Sequence, residues 1–255
     1  MDKEAKLFFL FDMLGDIKRS GPIQWKIDRF RTSDIKDHIF DLIVIIKMLK
    51  PYLPAYINTE KMIDYAIVHD LTEVITGDIT TFEGITKEEK KRVENIAIEY
   101  LINEYQNILN INTLLDDFED SKDLEAKILH MIDKIHSSIE FLKYDNEKKV
   151  DMDNPEIIEC LRENPRIVKL KKQGLSLGEL FYVWHLSSVN FTEEEIIKYN
   201  ISKEDADTIT YFIKKFMKSI FKQSKKINNK EEDFPVEAII YKNVNEENPK
   251  TKIHK

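Results

Sequence analysis

Residues 59–78 read TEKMIDYAIVHDLTEVITGD, and the chemistry of this stretch decides how the rest of the chain is read. Thr59 is a cap candidate, and the spacing predicts a helix running at least to His69. At its end an adjacent His69 and Asp70 sit among Ile67, Val68 and Leu71. Burying a charge without a partner is costly. A divalent cation would satisfy both side chains together. Two neighbours cannot surround an ion, so further ligands must come from elsewhere in the chain.

Both flanks supply candidates. Upstream, Ser33 or Asp34 can cap a helix bearing Ile35, Phe40, Leu42, Ile43, Ile46 and Leu49, which Pro51 stops. His38 lies on that helix. Downstream, a helix over about 122–146 buries a stripe of Ile128, Ile132, Ile135, Ile139 and Leu142, with Asp133 on its flank. His130 and His136 stand one turn away as rivals to Asp133. A His-Asp dipeptide alone recurs by chance, and a lone buried His is more often a core residue than a ligand. The ordered set of His38, His69, Asp70 and Asp133 is what points to a metal. Two imidazoles and two carboxylates suit one divalent transition metal ion such as Mn, Co, Fe, Ni or Zn. Open positions would remain for water and a substrate phosphate.

A carboxyl pair follows at once. Glu73 comes three residues after Asp70, the spacing that puts two side chains on one side of a helix. Gly77 permits a turn that brings Asp78 back toward Glu73. Beside a metal, such a pair is a proton-transfer device: one group orients or deprotonates water, or one protonates a leaving oxygen.

The pattern elsewhere is helical, and the expected class is all-α. With only 6 Gly and 7 Pro in 255 residues, the chain lacks the tight turns of a sandwich or barrel. Leu7, Leu10, Phe11 and Leu14 form an N-terminal helical stripe ended by Gly15 or Gly21, and residues 22–32 (PIQWKIDRFRT) read as an irregular loop. Thr86 with Glu89 makes a capping box for a charged helix over 86–110. Composition shifts near 147, where DNEKKVDMDNP (145–155) reads as a linker. The expected division is a domain over 1–148 and a mostly helical extension over 149–255. Its helices fall at about 155–163, 176–187, 192–199 and 203–222. Then QSKKINNKEED (223–233) reads as a mobile connector, FPVEAIIYKNV (234–244) as a strand, and 245–255 as a disordered tail. The FYVWH run at 181–185 reads as core or interface.

Charge and cysteine content narrow the setting. With 39 basic against 47 acidic residues, the net charge of -8 argues against a nucleic-acid backbone as partner, which needs a basic surface. A small phosphorylated substrate is still compatible, because a bound cation reverses the local field. The single Cys160 cannot form an internal disulfide, so a cytoplasmic, reducing compartment is expected. The N-terminus reads as an amphipathic helix, not a signal peptide, and no stretch is apolar enough to span a membrane.

Three segments, RTSDIKDH (31–38), AIVHDLTEVITGDI (66–79) and EAKILHMIDKIHSSIEFLKY (125–144), together resemble the HD-domain phosphohydrolases. The likeness is nearest to the YfbR-like 5′-deoxynucleotidase branch and covers about residues 5–148. It implies an all-helical HD-domain bundle with one divalent metal on His38, His69, Asp70 and Asp133. The implied reaction is hydrolysis of a (deoxy)nucleoside 5′-monophosphate to nucleoside and phosphate. Glu73 would be the acid/base, with Asp78 near the sugar or the attacking water. Trp25 matches a tryptophan that lies against the nucleotide. Gln24 stands where the family has an arginine for the phosphate, and Arg19, Lys26, Arg29 or Arg31 would have to replace it. Related HD enzymes remove triphosphate from deoxynucleoside triphosphates, which is the neighbouring outcome. A third reading is a nucleotide-sensing module whose function lies beyond residue 150. A homodimer is implied by resemblance only.

Overall fold

Asp34 sets the start of the helix that carries His38. Its side chain accepts the Asp37 amide and its own amide donates to the Asp37 carboxylate, a reciprocal capping box. This helix is one of a series in the computed structural model, which describes residues 2–25, 27–30, 32–80, 85–105, 108–143 and 176–229. In chain order the helices are α1 (Asp2–Met13), α2 (Ser20–Gln24), α3 (Ile35–Leu49), α4 (Thr59–Val68), α5 (Glu73–Thr76), α6 (Lys87–Tyr105), α7 (Ile111–Glu119) and α8 (Leu124–Lys143). After residues 144–175 come α9 (Leu177–Leu186), α10 (Glu193–Lys198) and α11 (Lys203–Asn229). The fold is all-α. Among the described residues the sole extended pairing is one antiparallel bridge, Lys18 with Asp34.

The chain divides into two units, Met1–Ile132 and Asp133–Lys255, with α8 running unbroken through the division. In the first unit α3 packs on α4, α4 on α7, and α6 on α7 and α1. The core is built from Ile35, Leu42, Ile46 and Leu49 of α3, Met62, Tyr65 and Val68 of α4, Leu115 and Phe118 of α7, and Ile128, Leu129 and Ile132 of α8. Phe40, one of the apolar residues this helix bears, is 64% exposed. It falls off the α3 face that Leu42 and Ile46 turn inward. In the second unit the rear of α8 buries Ile135, Phe141 and Leu142, α9 buries Leu180 and Phe181, and α11 buries Ala206, Ile209, Ile213 and Met217. Phe141 and Phe181 stack with ring centroids 3.6 Å apart.

Several boundaries move for local reasons. The loop expected over 22–32 begins inside a short helix, because Pro22 in a first helical turn has no amide to lose there. The base of that loop is closed by Arg19 N–H on Ser33 O at 3.0 Å and Ile35 N–H on Ile17 O at 3.0 Å. The Thr86/Glu89 box forms as expected; α6 is described through Tyr105, and Leu109 and Asn110 take left-handed backbone at φ 55° and 51°, so the helix does not reach 110. The connector expected over 223–233 is helical through Asn229. Gln, Lys and Ser continue a helix when no Gly or Pro intervenes, and Ser224 is buried. The expected linker at 145–155, the helix at 155–163, the strand at 234–244 and the tail lie outside the described residues. No helix among the described residues is long and apolar enough to cross a membrane.

Candidate active site

His38 projects from the first turn of α3 and is fully buried. His69 caps the C-terminal end of α4, where it is 6% exposed. The helix expected to run at least to His69 ends there, with His69 as its cap and its amide on the Tyr65 carbonyl. Leu71 N–H bonds Val68 O and Glu73 N–H bonds Asp70 O, both i to i+3, so the chain tightens into single turns before α5. Three residues per turn eclipses positions i and i+3, which keeps Asp70 and Glu73 on one side.

The His69 Nδ1 atom lies 2.9 Å from the Ala66 carbonyl oxygen, which can only accept, so Nδ1 carries a proton and Nε2 is the nitrogen turned toward His38 and Asp70. That Nε2 is 3.4 Å from His38 Nε2 and 3.2 Å from Asp70 Oδ2, and His38 Nε2 is 3.4 Å from the same carboxylate oxygen. Three donor atoms of this kind facing one another repel unless a proton or cation lies among them. A fourth group joins from α8: ligand atoms of His38, His69 and Asp133 lie within 4.8 Å of one another. The rival His130 turns away, its Nε2 3.0 Å from Phe118 O and its ring stacked on Phe118. A set of two imidazoles and two carboxylates with Nδ1 held by a backbone carbonyl fits a borderline divalent ion.

A second layer adjoins this set. The Arg19 guanidinium reaches Asp70 Oδ2 at 3.5 Å and Asp78 Oδ2 at 3.9 Å. Ser20 N–H donates to Asp78 Oδ2 at 2.6 Å. Gly77, at φ 73°, makes the turn that returns Asp78 to this point, a backbone that favours glycine. Glu73 is the most unusual member. Its Oε2 is buried with no hydrogen-bond partner among the described residues. Burial, reinforced by the charges of Asp70 and Asp78, pushes its carboxyl well above the usual range. Burial also raises Asp78, against the opposing Arg19 charge and the Ser20 amide. Burial would raise Asp70 too, but His69, His38 and Arg19 outweigh it and hold that group ionised. Neighbouring carboxyls are thus pushed in opposite directions, Glu73 up and Asp70 down, as acid/base sites require.

Sequence reasoning named Arg19 for a phosphate but not for its two carboxylates. Trp25 follows α2 directly and is half-buried. Arg31 lies outside the described residues. Two features carried no sequence signal. Asp123 accepts from Tyr65 OH at 2.6 Å and from Lys61, and caps α8 through Ala126 N–H at 2.8 Å. Glu125 accepts Asn58 N–H at 2.8 Å. Together they tie α4, which ends in His69, to the start of α8.

The model of the HD domain family matches residues 11–172. The chain belongs to the HD domain family. Its HD domain is similar to 5′-deoxynucleotidase YBR242W of Saccharomyces cerevisiae, at 34% identity over 123 residues, 46% of this chain and 50% of that one. It is similar to 5′-deoxynucleotidase HDDC2 of Xenopus laevis at 28% over 142 residues, 55% of this chain and 68% of the relative. The chain therefore spans about half the length of the yeast relative. In fold it resembles the crystal structure of a predicted metal-dependent phosphohydrolase from Magnetospirillum magnetotacticum MS-1. The TM-score is 0.51 at 11% identity, over 88% of this chain and 95% of that one.

Proposed function

We propose that this HD domain is a metal-dependent phosphohydrolase that converts (deoxy)nucleoside 5′-monophosphates to nucleoside and phosphate. One observation carries the reading: the imidazoles of His38 and His69 converge on Asp70 directly beside Glu73, a buried carboxyl whose protonated form burial favours. The names of the yeast and frog relatives support the substrate class.

His38, His69, Asp70 and Asp133 would hold a divalent transition ion. When bound, such an ion supplies Lewis-acid polarisation of phosphoryl oxygens and lowers the pKa of water. Arg19, already between Asp70 and Asp78, meets the phosphate oxygens and fills the role of the arginine that Gln24 replaces. As a water oxygen bonds to phosphorus and the P–O5′ bond breaks, Glu73 gives its proton to the departing 5′-oxygen, and the carboxylate left behind takes one back from the phosphate that the water has joined. Asp78, fixed by Ser20 N–H and Arg19, accepts from the sugar hydroxyl or the attacking water and orients it. Trp25 lies against the base. A cytoplasmic setting, a homodimer, and a division into residues 1–148 and 149–255 belong to the same proposal.

The test is phosphate release by the purified full chain across nucleoside mono-, di- and triphosphates, with Mn, Co, Ni, Zn or Mg supplied. Monophosphates are expected to release inorganic phosphate. Asp70→Ala is expected to abolish it, since the variant loses a metal-facing carboxylate. Unchanged turnover in Asp70→Ala would sink the reading. Release of intact triphosphate from deoxynucleoside triphosphates would move it to the neighbouring reaction.

A further inference from the structure

The segment after Gly77 carries Asp78 into the site, yet little in its own backbone explains why it stays there. The last helical bond is Gly77 N–H on Glu73 O at 2.8 Å, and a Cβ built on Gly77 would meet nothing within 4 Å. Nothing packs where a side chain on residue 77 would lie, and the local restraint on the turn is Thr76 Oγ1, which donates to the Gly77 carbonyl at 2.9 Å. One residue past Asp78, the Ile79 carbonyl accepts a hydrogen bond from Lys90 Nζ at 2.7 Å. Lys90 sits in the first turn of α6, partly buried, and its ammonium is steadied by Glu94 at 3.4 Å. A charged donor on a main-chain carbonyl is among the stronger hydrogen bonds a side chain makes.

We propose that Lys90 is a positioning residue for this site: through the Ile79 carbonyl it holds the segment after Gly77 in place, so that Asp78 stays engaged with Ser20 and Arg19. This gives the charged helix α6 a part in the chemistry of a site to which it supplies no ligand. The ammonium also lies close enough to lower the carboxyls of Glu73, Asp78 and Glu119. A lysine that only decorated the α6 surface would be satisfied by Glu94 alone.

The contribution of Lys90 to catalysis rests on the proposed function; its effect on Asp78 does not, and the two are measured separately. Ser20 N–H donates to Asp78 Oδ2, so its hydrogen-exchange rate in the full chain reports where Asp78 is, without any substrate. Lys90→Met and Asp78→Ala are each expected to speed Ser20 exchange by about tenfold, a local loss of protection. Lys90→Arg, which still reaches and donates, is expected to keep the wild-type rate. Exchange in α3 and α4 is expected to stay unchanged in all three variants. With a deoxynucleoside monophosphate as substrate, Lys90→Met is expected to lower kcat/KM about tenfold, mostly in kcat, because the oriented group is lost and not the affinity. Adding Lys90→Met to Asp78→Ala is expected to cost nothing more, since both act through one group.

Unchanged Ser20 exchange in Lys90→Met would overturn the inference, as would kinetic defects that multiply in the double variant. Should Lys90→Met fail to fold, Lys90→Gln is measured the same way, with faster Ser20 exchange again expected and an unchanged rate overturning the inference. If the wild-type chain turns over no nucleotide, the proposed function fails on its own, and Ser20 exchange still decides the role of Lys90.

Discussion

Glu73 shows what one residue can do when its surroundings choose its protonation state. Its ordinary value is 4.5, and burial with the charges of Asp70 and Asp78 pushes the folded value well above that. A carboxyl raised on folding destabilises the native state once pH exceeds the unfolded value, because the unfolded chain ionises first. For metal-free protein, Glu73→Gln is therefore expected to melt higher than wild type. The gap should open as pH rises above 4.5 and level off once folded Glu73 ionises. Phosphate release should fall by about 10² to 10⁴, the usual span for a lost general acid. Thermal melts and initial rates on the same two proteins check both halves, and a gap that does not grow with pH contradicts the protonation assignment. His185 is the counterpart in the second unit. Burial lowers it to about 4 from 6.5, with the Asp133 charge opposing. Here the unfolded chain takes up the proton first as pH falls. Wild type should lose stability relative to His185→Gln between pH 6.5 and 4 and no further below that window. A constant difference across acid pH would exclude this.

At the scale of elements, the site depends on how α4 is seated. The Asp123 carboxylate binds Lys61 and Tyr65 of α4 while capping α8, and Glu125 holds Asn58, the residue that caps α4. His69 lies one turn beyond Tyr65, and its amide bonds the Tyr65 carbonyl at 2.9 Å. Asp123→Ala removes a helix cap and two further hydrogen bonds. A loss of about 2 to 4 kcal/mol in denaturant unfolding is expected, since a cap is worth about 1 and each added bond about 0.5 to 1.5. Loss of under 0.5 kcal/mol would mean that solvent replaces these bonds at no cost, as at ordinary surface positions. The capping boxes at Asp34, Thr86, Ser176 and Thr192 act more locally. Each pairs residues three apart, which is why such helix starts can be read directly from sequence.

For the whole molecule, metal binding and folding stability should be linked, because the proposed ligands come from α3, the end of α4 and α8. An ion that binds only the folded chain stabilises it by RT ln(1 + [L]/Kd), about 2.7 kcal/mol at a hundredfold excess over Kd. Chelation is expected to lower the melting temperature and added Mn or Co to restore it. His69→Ala should melt at one temperature under both conditions. A metal-dependent shift that persists in His69→Ala would place the ion elsewhere.

What the sequence by itself determined were the features that a few consecutive residues encode. Periodicity marked α3, α4 and α8, the i, i+3 pairs marked helix starts, and the helical pattern with few Gly or Pro set the all-α class. His38 and the His69-Asp70 pair stood out because each is a titratable group on an apolar stretch, which needs a reason to be buried. Phe40 shows the limit of the same logic, since an apolar residue at helical spacing need not face the core. Only the tertiary structure decided the rest. It turned Asp133 toward His38 and His69 while His130 found the Phe118 carbonyl, a matter of helix rotation that spacing does not report. It set Arg19 between Asp70 and Asp78, Lys90 on the Ile79 carbonyl and Asp123 under α4, contacts between residues 11 to 62 positions apart. Such contacts follow no local period. They arise when helices pack, and packing is also what buries Glu73 and raises its carboxyl.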